Sequence, residues 1–215
     1  MNGIDRRAFL KRTGFTTLSA VGITQVTEAY AQRMVPNSAA TAASRLKAPA
    51  NACDCYHHIY DIRFPQPRDA AAPLVPNSRV EEYRLLRGRI GTTRSVVVTP
   101  SAYLTDNRVT LDAIATFGPD ARGVARIGVG ITTAELKMLD DGGIRGIRFS
   151  LTIANGVSPP IPPTTIDAIQ SLAGRVNDLG WHVQFNVTAD QIVAAADTLN
   201  RLPAQIVFDH MGHMF

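Results

Sequence analysis

Only two cysteines occur in the 215 residues, Cys53 and Cys55. Residues i and i+2 of a strand project from one face about 6.6 Å apart, beyond easy disulfide geometry. That argues against a bond between them even in an oxidising compartment. A Cys-x-Cys metal site lacks partners at finger-like spacing, so the pair reads as two small buried apolar side chains. Beyond the N-terminal region no apolar run is long enough to span a bilayer. No Gly-x-Gly-x-x-Gly follows the first strand-like run, which disfavours a dinucleotide-binding fold. Lysine and arginine exceed aspartate and glutamate by 22 to 18, giving a net charge of +4 and a pI of about 9.4. The excess is not gathered into a patch, so nucleic acid is not an expected partner.

Part of that charge belongs to a leader. Arg6, Arg7, Lys11 and Arg12 stand there against Asp5 and Glu28, and taking these out leaves +2 of the chain's +4. The order Asp5-Arg6-Arg7-Ala8-Phe9-Leu10-Lys11 resembles a twin-arginine export motif. A mildly apolar stretch from Thr13 to about Val26 follows, too short and too rich in Thr, Ser and Gly for a stable membrane anchor. Ala29-Tyr30-Ala31 then supplies a small-x-small cleavage pattern. Residues 1–31 are therefore read as a signal peptide, and the expected location is the periplasm. Residues 32–49, rich in Ala, Ser and Pro without periodicity, read as a flexible linker.

From residue 50 onward, strand and helix signals alternate. Apolar, β-rich runs occupy Ala52–Tyr60, Ser95–Pro100, Gly123–Gly128, Ile144–Ser150, His182–Val187 and Gln205–His210. Amphipathic stretches lie between them, with capping boxes expected at Ser78–Glu81, Thr132–Glu135 and Thr188–Gln191. With 45% hydrophobic residues the chain can bury one core. Strict β-α alternation predicts an α/β fold with a parallel sheet and helices outside it. In a barrel of this kind, polar residues at the C-terminal strand ends build the site. Here those ends carry His58, Thr99, Arg148, Gln184, Asn186 and His210, groups that are costly to bury without a ligand or partner.

The first strand reads Cys53-Asp54-Cys55-Tyr56-His57-His58, with Asp54, Tyr56 and His58 expected on one face and Cys53, Cys55 and His57 on the other. It resembles the Asp-x-His-x-His opening of amidohydrolase barrels. Further stretches resemble the amidohydrolase-related (amidohydrolase 2) group that contains 2-pyrone-4,6-dicarboxylate lactonase. They are Ser95–Tyr103 with Thr105-Asp106-Asn107, Gly143–Phe149, Gly180–Gln184 and Phe208-Asp209-His210-Met211-Gly212. The resemblance covers about residues 50–215. It implies an incomplete (β/α)8 TIM barrel of the metal-dependent hydrolase superfamily with about six strands, and a hydrolase acting on small carboxylated cyclic esters.

The resemblance also distributes roles. His58 and His210 match strand-end histidines that polarise a carbonyl. Tyr56 stands where the family has the first histidine of strand one; it reads either as a hydrogen-bond donor in that role or as filler of the barrel interior. A phenol with a pKa near ~10 replaces a histidine poorly as a metal ligand, so no cofactor is expected, with zinc as the alternative. Arg148 reads as an anchor for a substrate carboxylate, or else as a salt bridge on the rim; Arg145, of opposite parity, should face the helices. Gln184 or Asn186 from strand five, and Tyr103 and Asn107 from the loop after strand two, are candidates for lining the site. His57, His182 and His213 look peripheral.

A (β/α)8 barrel takes about 250 residues, and 184 follow residue 31. Strands seven and eight are expected to be missing, and with them the strand-eight aspartate that activates water in the family. The fragment is then expected to be inactive, with open edges at strands one and six and a thinned core lining at Val96, Val97, Ile206 and Phe208. Two other readings stay open: a metal-dependent amidohydrolase or decarboxylase, and a non-catalytic dicarboxylate-binding remnant. The expected partner is a small carboxylate; the oligomeric state is left open.

Overall fold

The computed structural model describes residues 44–68, 70, 78–151 and 161–214. The signal peptide expected over 1–31 and most of the linker expected over 32–49 lie outside the described residues. Six strands, β1 (Cys53–His57), β2 (Arg94–Val98), β3 (Ala121–Ala125), β4 (Ile144–Ser150), β5 (His182–Asn186) and β6 (Ile206–Phe208), form one sheet in the order of the sequence. All five neighbouring pairs are parallel. Between them run helices α1 (Val80–Ile90), α2 (Arg108–Phe117), α3 (Thr133–Asp141), α4 (Pro163–Asn177), α5 (Ala189–Ala194) and α6 (Ala196–Leu199). A doubly wound sheet reverses its strand order at a switch point; here the order runs on without reversal. This is the winding of a (β/α)8 barrel with six of its strands present. Among the described residues, β1 and β6 pair with no strand on their outer edges.

The sheet's apolar residues meet the helices in a dry core. Val97, Ile144, Ile147, Val183 and Phe185 are fully buried in one cluster with Leu136, Leu139, Ile169, Leu172 and Val176. The expected thinning of the lining shows at Val96 on β2, which is half-buried, and on the last strand, where Ile206 is half-buried and Phe208 is 38% exposed, while Val97 is inaccessible to solvent. On β1 the expectation of two buried cysteines fails. Cys53 is half-buried and Cys55 exposed, both as free thiols, because the edge strand has no neighbour to cover them.

Two capping boxes form as read, with Thr132 and Thr188 accepting from the N–H groups of Glu135 and Gln191. The first shifts by one residue. Arg79, not Ser78, is the N-cap of α1, and the Glu82 carboxylate accepts from both its backbone N–H at 3.1 Å and its guanidinium at 2.9 Å. The parity of β1 is also interrupted, since its register with β2 shifts between Asp54 and His57. Asp54 therefore accepts from the Tyr83 hydroxyl of α1 at 2.9 Å, and does not join Tyr56 and His58. His57 stacks on the same Tyr83 ring at 3.7 Å, and burial pushes its imidazole down to about 4.

One glycine fixes the register that matters for the site. Gly146 lies opposite His182 across β4 and β5, and this places Arg148 opposite Gln184. A Cβ on Gly146 would come within 2.6–2.7 Å of both nitrogens of the His182 ring. Gly146→Ala is expected to cost about 1–3 kcal/mol of stability, the usual range for overpacking. His182→Ala in the same chain should return most of it. A denaturation midpoint unmoved by Gly146→Ala would contradict the close approach.

Candidate active site

Polar side chains converge where β1, β3, β4, β5 and β6 end. The Tyr56 hydroxyl lies 3.1 Å from His58 Nε2, and His58 Nδ1 lies 2.7 Å from the Val98 carbonyl oxygen. Burial pushes His58 down to about 4, so near neutral pH its ring carries one proton. A carbonyl only accepts, which assigns that proton to Nδ1 and leaves Nε2 to accept from Tyr56. Burial pushes the Tyr56 phenol up to about 12, against the pull of Arg148. The Tyr56 ring stands 5.0 Å from those of both His58 and His210, and the Arg148 guanidinium lies 5.4 Å over it.

Arg148 is anchored from behind. Its Nε donates to Asp209 Oδ2 at 2.8 Å, with the two side chains only 3% and 5% exposed. Gln184 donates to the same oxygen at 3.0 Å, and Asp209 Oδ1 is buried without a partner. The ion pair is thus buried and not on the rim, and it leaves the two terminal nitrogens of Arg148 for another anion. Arg145 turns the other way, onto Asp140 of α3 at 2.9 Å.

Sequence reasoning missed two members of this cluster. Arg126 follows directly after β3; its Nε donates to the Leu104 carbonyl at 3.1 Å. Burial pushes its guanidinium down, as does the like charge of Arg148. A charged residue ending an apolar strand was the available signal, but strand three was drawn through it to Gly128. Asp209 was set aside because it precedes the histidine; β6 stops at Phe208 and the chain turns, so Asp209 points inward. His210, Met211, Gly212 and His213 all take left-handed conformations in that turn, with φ of 48°, 53°, 63° and 50°, and this brings the exposed His210 ring over Tyr56.

Tyr103 and Asn107 do not line the site. Tyr103 is fully buried, and its hydroxyl accepts from Asp61 N–H at 3.0 Å and donates to Asp61 O at 3.1 Å. Asn107 Oδ1 accepts from the Thr99 hydroxyl at 2.8 Å and from Arg126 N–H at 2.9 Å, while its amide donates to the carbonyls of Thr105 and Arg126. Both amide atoms are fully engaged, so Asn107 fixes Arg126 and has no group left for a ligand. Asn186 stands at the rim; it donates to Ser150 Oγ and accepts from His213 Nε2 at 2.7 Å. His213, expected to be peripheral, lies 5.4 Å ring to ring from His210.

Among the described residues no three His, Cys, Asp or Glu side chains converge as a metal set. The strand-one donors do not suit one either: Tyr56 is a phenol held protonated by burial, and the free electron pair of His58 faces its hydroxyl.

A sheet wound in sequence order, with cationic and imidazole groups gathered at its C-terminal strand ends, is the construction of a (β/α)-barrel site. The chain belongs to the Amidohydrolase family, whose profile matches residues 53–215. It is 35% identical over 170 residues to 2-pyrone-4,6-dicarboxylate hydrolase of Comamonas testosteroni, covering 78% of this chain and 54% of that one. It is 26% identical over 167 residues to 4-sulfomuconolactone hydrolase of Rhizobium radiobacter, covering 77% and 54%. A solved apo structure from Agrobacterium tumefaciens superposes with a TM-score of 0.67 at 23% identity, over 79% of this chain and 60% of that one; at that identity the likeness concerns the fold. The chain spans about half the length of the curated relatives it matches.

Proposed function

We propose that this barrel belongs to a hydrolase of small lactones carrying more than one carboxylate, of the 2-pyrone-4,6-dicarboxylate type. The carrying observation is a pair of neighbouring guanidiniums: Arg148 lies 5.4 Å over the Tyr56 ring, and Arg126, largely withdrawn from water, feels its like charge. Asp209 is the one carboxylate bonded to either of them among the described residues. Two neighbouring cations with a single internal counterion favour a ligand bearing two negative charges, and the planar fork of arginine suits carboxylates. The relatives hydrolyse, by name, a pyrone dicarboxylate and a sulfonated muconolactone, both doubly anionic lactones. A periplasmic location belongs to the same proposal and rests on the arginine pair and the Ala29-Tyr30-Ala31 site alone.

Calorimetric titration with 2-pyrone-4,6-dicarboxylate tests the reading. Arg126→Gln is expected to weaken binding by about 1.5–3 kcal/mol, the scale of a charged hydrogen bond, whereas Arg122→Gln on the exposed side of β3 should leave it unchanged. Equal dissociation constants for wild type and Arg126→Gln would remove the dicarboxylate assignment.

A further inference from the structure

Between α2 and α3 lies a cavity that the lactone reading does not use. It holds about 420 Å³, within the range of about 300–1,000 Å³ usual for small-molecule sites. Its apolar walls are Leu111 of α2, Ile127 and Ile131 of the stretch after β3, and Met138 and Leu139 of α3. Tyr56, His58, Arg148 and His210 take no part in it. The space is built into the sequence. Gly128 and Gly130 stand in the wall, and a Cβ on either would meet nothing within 4 Å. Leu111, Ile127 and Ile131 are only half-buried there, and Met138 is 55% exposed.

Charge decides what fills it. Four charged side chains border the cavity. Asp106 and Arg108 neutralise one another through side-chain hydrogen bonds of 2.6–3.1 Å. Glu135 is engaged as the cap partner of Thr132, accepting from its N–H and its hydroxyl at 2.7 Å each. Arg126 remains. Its Nε donates to the Leu104 carbonyl and its Nη1 lies 3.4 Å from Ser101 Oγ, and among the described residues no carboxylate bonds to it. The cavity therefore combines apolar walls with one cation that lacks a counterion. We propose that it is a second binding site, for a small hydrophobic carboxylate whose apolar body lies against Leu111, Ile131 and Met138 and whose charge meets Arg126. A methionine wall suits an aromatic body, since thioether sulfur packs well against rings. Arg126 also belongs to the dicarboxylate site, and on that reading the two ligands draw on one guanidinium. Each then weakens the other by the same factor.

Benzoate, added to the full chain, is the probe. In protein labelled with 13C-methyl methionine, benzoate is expected to shift the Met138 signal with a dissociation constant on the order of 1 mM, as befits so small a ligand. Benzamide has the same shape without the charge, and should bind at least about 10-fold more weakly. In calorimetric titration, saturating benzoate should weaken binding of 2-pyrone-4,6-dicarboxylate at least about 5-fold. Met138→Trp fills the cavity from an exposed position; it should leave the pyrone's dissociation constant unchanged and abolish the effect of benzoate on it. An unmoved Met138 signal overturns the site, and equal binding of benzoate and benzamide overturns the part given to Arg126. Undiminished competition in Met138→Trp puts benzoate in the barrel mouth and overturns the proposal as well. Independent binding of benzoate and pyrone overturns the shared guanidinium. Failure of the pyrone to bind at all would instead remove the lactone reading, and the Met138 signal still decides the cavity.

Discussion

Asp209→Ala is expected to lower the stability of the protein by about 3–5 kcal/mol, the range for removing one partner of a buried ion pair. The guanidinium of Arg148, 3% exposed, would lose the one anion bonded to it among the described residues. It cannot shed its charge by deprotonation, since arginine stays protonated in proteins. Gln184 would lose its acceptor as well. Asp209→Asn keeps an acceptor oxygen yet leaves the charge uncompensated, so it should recover little. Replacing both partners, with Arg148→Met and Asp209→Leu, should recover most of the loss, because exchanging a buried pair for apolar groups is often neutral. The comparison separates burial of a lone charge from loss of packing volume. Denaturant unfolding of the four proteins reads it directly, and a change under about 1 kcal/mol for Asp209→Ala would contradict the buried pair.

Trp181→Ala is expected to be similarly severe, at about 3–5 kcal/mol, the cost of truncating a large buried aromatic residue. Trp181 is 2% exposed and precedes β5 directly. Its backbone N–H closes the end of α4 onto Val176 O at 3.0 Å, and its indole N–H donates to Asp140 Oδ1 at 2.8 Å at the end of α3. One side chain thus fastens two helix ends to the start of the strand that carries Gln184. Trp181→Phe keeps most of the volume and loses the indole donor, so it should cost far less, about 1 kcal/mol. Thermal unfolding that ranks Phe as badly as Ala would mean that the hydrogen bond, not the packing, is what this position supplies.

The alternating runs were enough to read the sheet, its order and its parallel sense, because each strand–helix unit carries its own period and caps. Thr132 and Thr188 were legible as caps since Glu135 and Gln191 stand at the required spacing. Ser78 was misread because the same pattern occurs one residue later with Glu82, and only the geometry of helix entry separates the two. In the site, Tyr56, His58, Arg148, Gln184 and His210 could be read from parity and motif. Tyr103 and Asn107 could not be sorted, because polar residues that bind a ligand and those that bind the backbone look alike in sequence. Asp54 and Asp209 were misplaced for one shared reason: a register shift in β1 and a turn after β6 break the two-residue alternation on which side assignment depends. Arg126 was lost to a strand end drawn three residues too late.

The four hydrogen bonds of Asn107 have a consequence for motion. They join the end of β2, the turn before α2 and the stretch after β3 into a single hydrogen-bonded knot. Neither loop can peel away alone without stripping a buried amide of its partners, so the two should open together or not at all, as one cooperative unit. Arg126 rides on that knot. Fluctuations that would blur the spacing between the guanidiniums are thereby converted into rare, all-or-none excursions, and between them the distance that a ligand's two charges must match stays constant.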